Sequence, residues 1–500
     1  MADQSASPAE VDLLIENGVI VPMDAAGQIL YNGLLAVEQG AILAVGRQEA
    51  LAGKYTGRTT IDARQKVVLP GLVDTHHHFL QNYLKGARDD LPFVDWIAQV
   101  SSPLISLAVR DYLAGNDELQ TQATRLGCAE ALLSGITTVV NMEWATPLRL
   151  VDIYEEAGIR VVHCLYLTDV DEWRSPGMLL PLDATLALAE ELKKRCRASN
   201  GGRVTFRYGP ACENSVSAGL FRLVRSLADE GGVGIHLHIA ESQFGWDNIS
   251  RRHGRTPVHY LHDLGVLGPD VLAAHCIWVS DEDIRLLSET GTSVSYNPEC
   301  HMKLSLGTAP VTRMLAAGVT VSLGTDTCAV NDNMDLFEAM RVGAFLQKLS
   351  TGDPALLPAR EALHLGTLGG ARALGMAGEV GSLEVGKRAD IILVDLARIH
   401  MRPVNNLLNN LVYCASAATA DCSPGTRPRC SPAPRRPCSG GSRRPACRCR
   451  RSTIANSKRR AACRLPSPSR PSWPPRFCWP GLASGSGPGP FRPTPGERPS

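Results

Sequence analysis

Leu69-Pro70-Gly71-Leu72-Val73-Asp74-Thr75-His76-His77-His78 is the stretch on which the reading of this chain turns. Its apolar start predicts a buried strand that runs into three imidazoles. Successive strand side chains leave opposite faces, so His76 and His78 share a face while His77 points away. Two imidazoles at i and i+2 make a two-point clamp for a metal ion. At the C-terminal end of a barrel strand, that clamp sits where barrel active sites lie. Leu69-Pro70-Gly71 marks the entry into the strand from a separate small domain.

A lone His-x-His is a weak signal, because hydrogen-bonded core histidines are commoner than ligands. Three further strand ends strengthen it: His236-Leu237-His238-Ile239-Ala240-Glu241, Ala273-Ala274-His275-Cys276 and Gly324-Thr325-Asp326. Each puts a nitrogen or carboxylate donor at the same end of the expected barrel. His76, His78, His238, His275 and Asp326 are therefore the candidate metal site. His77 is expected to be structural. His236 shares a face with His238 one layer deeper, and is expected as a barrel-interior histidine rather than a ligand to a second metal.

Around this stretch the chain alternates strand and helix. Eight strands are predicted at residues 67–74, 137–142, 161–167, 204–208, 233–239, 271–275, 293–297 and 320–324. Helical patterns fill the gaps at 118–133, 184–195, 220–229 and 281–288. Eight such units over about 260 residues suit an α/β fold of the (β/α)8 TIM-barrel type. Before it, residues 11–15, 19–21, 34–38 and 42–45 read as short antiparallel strands, with turns at Asn17-Gly18 and Gln39-Gly40. After it, residues 381–394 return to β and are expected to rejoin them. The predicted layout is a β-sandwich over 1–66 and 376–418, a barrel over 67–375, and a tail over 419–500.

The net charge of +1 hides an asymmetry. Residues 421–500 carry 17 Lys+Arg against 2 Asp+Glu, so the remainder is acidic. The tail also holds 17 of the 33 Pro and 7 of the 15 Cys, a composition that predicts disorder. A genuine basic arm is one reading. A GC-rich coding sequence read in the wrong frame is the other, favoured by the abrupt break after residues 407–417. No apolar run approaches the ~18 residues of a membrane span, and the first residues are polar. Cysteines scattered without a CxxC pair predict a reducing cytoplasm.

The segments PGLVDTHHHFLQ, DDLPFVDWI, LHIAES, AAHCIW, NPECHMKLSLGTAPV, GTDTCAVND and GSLEVGKRADIILVDL occur in order between residues 11 and 417. Through them the chain resembles the amidohydrolase superfamily, in the branch of methylthioadenosine/S-adenosylhomocysteine deaminases and atrazine chlorohydrolase. The resemblance stops near Ala418, where that family continues with a further strand and a DG turn, which supports the frameshift reading. It implies one divalent metal per chain, zinc or iron, held by His76, His78, His238 and Asp326. It implies Glu241 as proton shuttle, His275 as the residue orienting the attacking water, and Asp326 as proton acceptor. A bound divalent cation lowers the pKa of water toward ~7, so that hydroxide attacks a ring carbon made electrophilic by a proton from Glu241.

The same resemblance makes Gln81, Trp96, Glu143, Trp144, Cys212, Glu213, His301, Cys328 and Asn331 candidate pocket residues. Three departures concern the substrate. Relatives that act on nucleosides carry a Glu where Ile105 stands, a His where Ala211-Cys212-Glu213 follows Gly209-Pro210, and Ser-Asn where Cys300-His301 stands. An Ile cannot bond two ribose hydroxyls. The expectation is thus hydrolytic deamination of a smaller aminated heterocycle: a pterin, purine, pyrimidine or triazine. A dehalogenase or an amide or carbamate hydrolase is the alternative. The implied partners are the small substrate and a second copy in a homodimer or larger homo-oligomer, without nucleic acid or membrane.

Overall fold

A computed structural model describes residues 7–170 and 180–422. Strands β1 (Ala9–Ile20), β2 (Leu30–Glu38), β3 (Ala41–Arg47), β4 (Tyr55–Asp62) and β5 (Lys66–Pro70) come first. The barrel follows: β6 (Leu72–His77), β7 (Ile136–Glu143), β8 (Arg160–Leu167), β9 (Val204–Pro210), β10 (Gly234–Ile239), β11 (Val271–His275), β12 (Ser293–Tyr296) and β13 (Val321–Leu323). Strands β14 (Ile391–Asp395) and β15 (Ala420–Cys422) end the described chain.

Strands β6 to β13 lie side by side in chain order and are all parallel. The seam between β13 and β6 is closed by backbone bonds at the histidine end: Asp326 N–H donates to His76 O (2.8 Å) and His78 N–H to Asp326 O (3.2 Å). The expected (β/α)8 barrel is therefore present, and its closure already ties two candidate ligands to a third. Amphipathic helices such as Glu118–Leu133, Leu182–Arg197 and Ala218–Gly231 pack outside. Tyr154, Tyr208, Phe221 and Tyr296 are fully buried in the main core formed with them.

The N- and C-terminal segments form one mixed seven-stranded sheet, ordered β15-β14-β5-β1-β2-β3 with β4 also on β1. Three expectations need correction there. Asn17-Gly18 is not a hairpin turn: β1 runs through it with a register shift, and Asn17 takes a positive φ of 63°. A bulge uses the same residue types as a turn, so the dipeptide alone does not separate them. Strand β4, mostly polar and without a hydrophobic alternation, went unpredicted, and both β4 and β5 run parallel to β1. Residues 67–74 are not one strand either. The chain leaves β5 for β6 at Gly71, where a Cβ would fall 2.0 Å from the Thr137 hydroxyl, so only glycine fits.

The short β15 pairs with β14 and lies beyond the predicted tail boundary at 419. The expected disorder of the tail concerns residues that, from 423 on, lie outside those described. No helix among the described residues is long and apolar enough to cross a membrane.

Candidate metal centre and active site

The rings of His76, His78, His238 and His275 gather at the C-terminal ends of β6, β10 and β11. His76 lies with its ring centroid 4.9 Å from His78, 4.8 Å from His238 and 5.5 Å from His275. Burial, with the neighbouring rings, holds His76, His78 and His275 well below the usual imidazole range, so they are neutral. A neutral ring has one N–H, and its hydrogen bonds say which nitrogen carries it.

His78 Nδ1 donates to Met142 O (2.6 Å) and His238 Nδ1 to Ala211 O (2.7 Å). Carbonyls only accept, so Nε2 is the unprotonated nitrogen in both. His236 Nδ1 donates to Leu272 O (2.9 Å), which leaves its Nε2 to accept from His76 Nδ1 at 2.8 Å. His76 is thereby fixed with its lone pair on Nε2, an atom that is buried with no hydrogen-bond partner. The carboxylate of Asp326 approaches the same point, with Oδ1 3.5 Å from His76 Nε2 and 3.9 Å from His78 Nε2. The donor atoms of His76, His78 and His238 lie within 4.8 Å of one another. Three imidazole lone pairs and one carboxylate, one of them orphaned by burial, fit a divalent cation such as zinc or iron.

His236 is thus the interior histidine that was expected, but its position gives it a task. It is a positioning residue that sets the tautomer of His76. Loss of such an outer partner costs about 10–100-fold in metal affinity. His236→Phe is expected to weaken zinc binding by that factor, while His236→Gln, whose carbonyl still accepts from His76, restores most of it. A competition titration against a chromophoric chelator checks this; equal losses in the two variants would reduce His236 to packing.

His275 differs from the other three. Its Nδ1 faces the Asn297 amide nitrogen (3.3 Å) and His301 Nε2 (3.2 Å), both able to donate. Its Nε2 then carries the hydrogen and lies 3.5 Å from Glu241 Oε1. His275 therefore points this N–H into the site, beside the four candidate ligands. Glu241 follows Ala240, and its carboxyl is pushed well above the usual range by burial, then by Asp326 and Glu213. That shift favours the protonated form, the form an acid that must give up a proton requires.

The backbone is strained where these groups emerge. Ala240, His275 and Asp326 all take positive φ (50°, 76° and 63°). Such conformations cost about 1–3 kcal/mol each and cluster where geometry is held for function. Directly behind His76, a Cβ on Gly324 would come within 2.4 Å of Asn297 Oδ1, so glycine is required there too. His77 faces away, between Thr325 Oγ1 (2.9 Å) and Asn82 Oδ1 (2.9 Å), in the structural place expected of it.

A cleft opens over the centre. Of the expected contacts, Gln81, Trp96, Trp144 and Cys212 line it, as do His78, His238, Glu241 and Asp326. Glu143, Glu213, His301, Cys328 and Asn331 are not on its wall. Glu143 is buried, holds Leu80 N–H at 2.8 Å and is pushed up to about 8 by burial, and Glu213 receives Ala240 N–H. His301 stands behind His275, and Asn331 bonds the carbonyl of Thr325. Cys328 is buried in the core. Each is near the cleft in sequence and one layer removed in space.

Sequence reasoning missed Phe93, Ile97, Ser101 and Tyr166, which also line the cleft, as does Cys300, noted there only as a departure from the relatives. Tyr166 was findable by the same strand-end rule, since it is next to last in β8; its ring lies 4.5 Å from Trp144. Phe93 to Ile105 come from a helical run interrupted by a π-turn at Ile97–Ser101. The turn's extra residue shifts the inward face, which a 3.6 period does not foresee.

An amidohydrolase family model matches residues 67–421. A 5'-deoxyadenosine deaminase from Methanosarcina barkeri is 38% identical over 411 residues, 81% of this chain and 90% of the relative. A 5-methylthioadenosine/S-adenosylhomocysteine deaminase from Syntrophobacter fumaroxidans is 36% identical, over 82% of this chain and 90% of its own length. Among solved structures, an adenosine deaminase from Xanthomonas campestris with bound zinc superimposes with a TM-score of 0.76 at 30% identity, covering 83% of this chain and 91% of the other.

Proposed function

We propose, from the premise that this chain belongs to the amidohydrolase family, that it is a metal-dependent hydrolase releasing ammonia from an aminated N-heterocycle. One observation carries the reading: His76, His78, His238 and Asp326 converge beside Glu241 and His275 at the floor of a cleft. A divalent cation, zinc or iron at one per chain, would be held by those four residues and would activate water at neutral pH. The chain's own groups do the rest. Glu241 gives its proton to a ring nitrogen and so makes the neighbouring carbon electrophilic. His275 Nε2–H orients the oxygen that attacks that carbon. Asp326 takes up a proton for delivery to the departing amine.

The cleft wall favours a flat, uncharged ring. Trp96, Trp144, Tyr166 and Phe93 supply aromatic surface, and no Lys or Arg among the described residues lines it. Ile105, Cys212 and Cys300 are on the wall, so each of the three departures from nucleoside-type relatives puts a residue at the cleft. The named relatives act on adenosine derivatives; this chain is read as preferring the base. An unpaired hydroxyl costs about 1–3 kcal/mol on burial, so a base is expected to exceed its riboside in kcat/KM by about 10–100-fold. Ammonia release from amino-pterins, purines, pyrimidines and triazines, with 5'-deoxyadenosine beside them, tests both statements. A riboside preference would reverse the substrate assignment, and no ammonia from any of them would remove the deaminase. Eight free cysteines among the described residues suit a reducing compartment, the cytoplasm. A homo-oligomer is read from resemblance alone and is open to light scattering.

A further inference from the structure

At the barrel end remote from the histidines, a second cavity of about 750 Å³ opens where β8, β9 and β10 begin. Its wall contains Arg207, the fourth residue of β9. Arg207 is only 7% exposed, yet no carboxylate among the described residues comes within ion-pair distance of it. Its one hydrogen bond among the described residues is long, from Nη2 to Ala373 O at 3.4 Å, and Nη1 is buried with no partner among them. A guanidinium does not deprotonate in proteins. A buried charge left unpaired is costly, and natural proteins pair it.

The neighbours do not supply the pairing. Asp270 and Asp229 are both taken by Arg225, at 2.7 Å and 2.6 Å. Glu379 stands exposed at the rim, and Arg197 adds a further positive charge there. Across the strand pair, Arg207 faces Gly234, whose Cβ would lie 3.0 Å from the guanidinium Nε. Glycine at that position keeps the room in which the fork lies. Volume, an unmatched positive charge and a planar fork of donors together describe a receptor for a small oxyanion.

We propose that this cavity binds a small oxyanion, a phosphate or a carboxylate, on Arg207. The site is independent of the deamination reading, because it shares no residue with the metal centre.

The test is thermal unfolding of the full chain with inorganic phosphate or acetate against chloride at constant ionic strength, beside titration calorimetry with the same anions. At about tenfold above the half-saturating concentration, the folded-to-unfolded ratio is expected to rise about tenfold. Which of phosphate and acetate produces the rise names the source. Removing an unpaired buried charge is neutral or stabilising. Arg207→Met is therefore expected to match or exceed the wild type in chloride and to fall below it at saturating anion. An unchanged response in Arg207→Met would place the anion elsewhere and overturn the proposal. So would the absence of saturable heat in the wild type, a result that stands even where the variant does not fold.

Discussion

Glu241→Gln is expected to lower kcat for ammonia release by about 10²–10⁴, the range for a positioned proton carrier. The amide keeps the side chain's shape but has no proton to transfer to a ring nitrogen. Its neighbour His275 Nε2, 3.5 Å away, retains an acceptor in the amide oxygen. Glu241 is not among the four ligands, so bound metal is expected to stay at the wild-type level. Steady-state ammonia assays alongside elemental analysis separate the two quantities. A loss below tenfold would take Glu241 out of the proton path. A parallel loss of metal would make it a ligand instead.

Asp326→Asn is expected to cost at least about 100-fold in metal affinity, since even an outer partner of a ligand is worth 10–100-fold. Ammonia release should fall with occupancy. The substitution is chosen for what it leaves alone. Residue 326 has φ 63°, a conformation Asn tolerates as well as Asp. The seam bonds to His76 O and from His78 N use only its backbone. A folded Asp326→Asn chain that keeps its metal and its rate would remove Asp326 both as ligand and as proton acceptor.

The cluster proposed as the metal centre was legible because its donors follow one rule, a polar donor at the end of each of several parallel strands. That rule located His76, His78, His238, His275 and Asp326 without any contact information. It did not separate His275 from the other candidate ligands. That distinction lies in Asn297 and His301, which approach from another strand and helix and set its proton on Nε2. The task of His236 was hidden for the same reason, since a 2.8 Å contact between residues 160 apart leaves no local pattern. Glu143 shows the opposite failure. It sits at a strand end of the right type, but its carboxylate turns back to hold the segment after His78.

Fold elements were readable where periodicity was strong. The helix at Glu118–Leu133 and strand β11 have the limits their patterns predict. Strand β4 was not, because Tyr55-Thr56-Gly57-Arg58-Thr59-Thr60-Ile61-Asp62 is mostly polar and is held by pairing with β1 rather than by its own burial. Gly71 hid a change of sheet inside one apolar run, since β5 and β6 are both buried and differ only in their partners.

Hydrolysis of an amino-heterocycle is proposed to depend on a cation held by His76, His78, His238 and Asp326. The most direct test strips the full chain with a chelator and restores zinc in increments, following ammonia release from the best substrate. The rate is expected to fall to background on stripping and to return saturably as zinc is added, with the fold intact throughout. A stripped, folded chain that releases ammonia at an undiminished rate would contradict it.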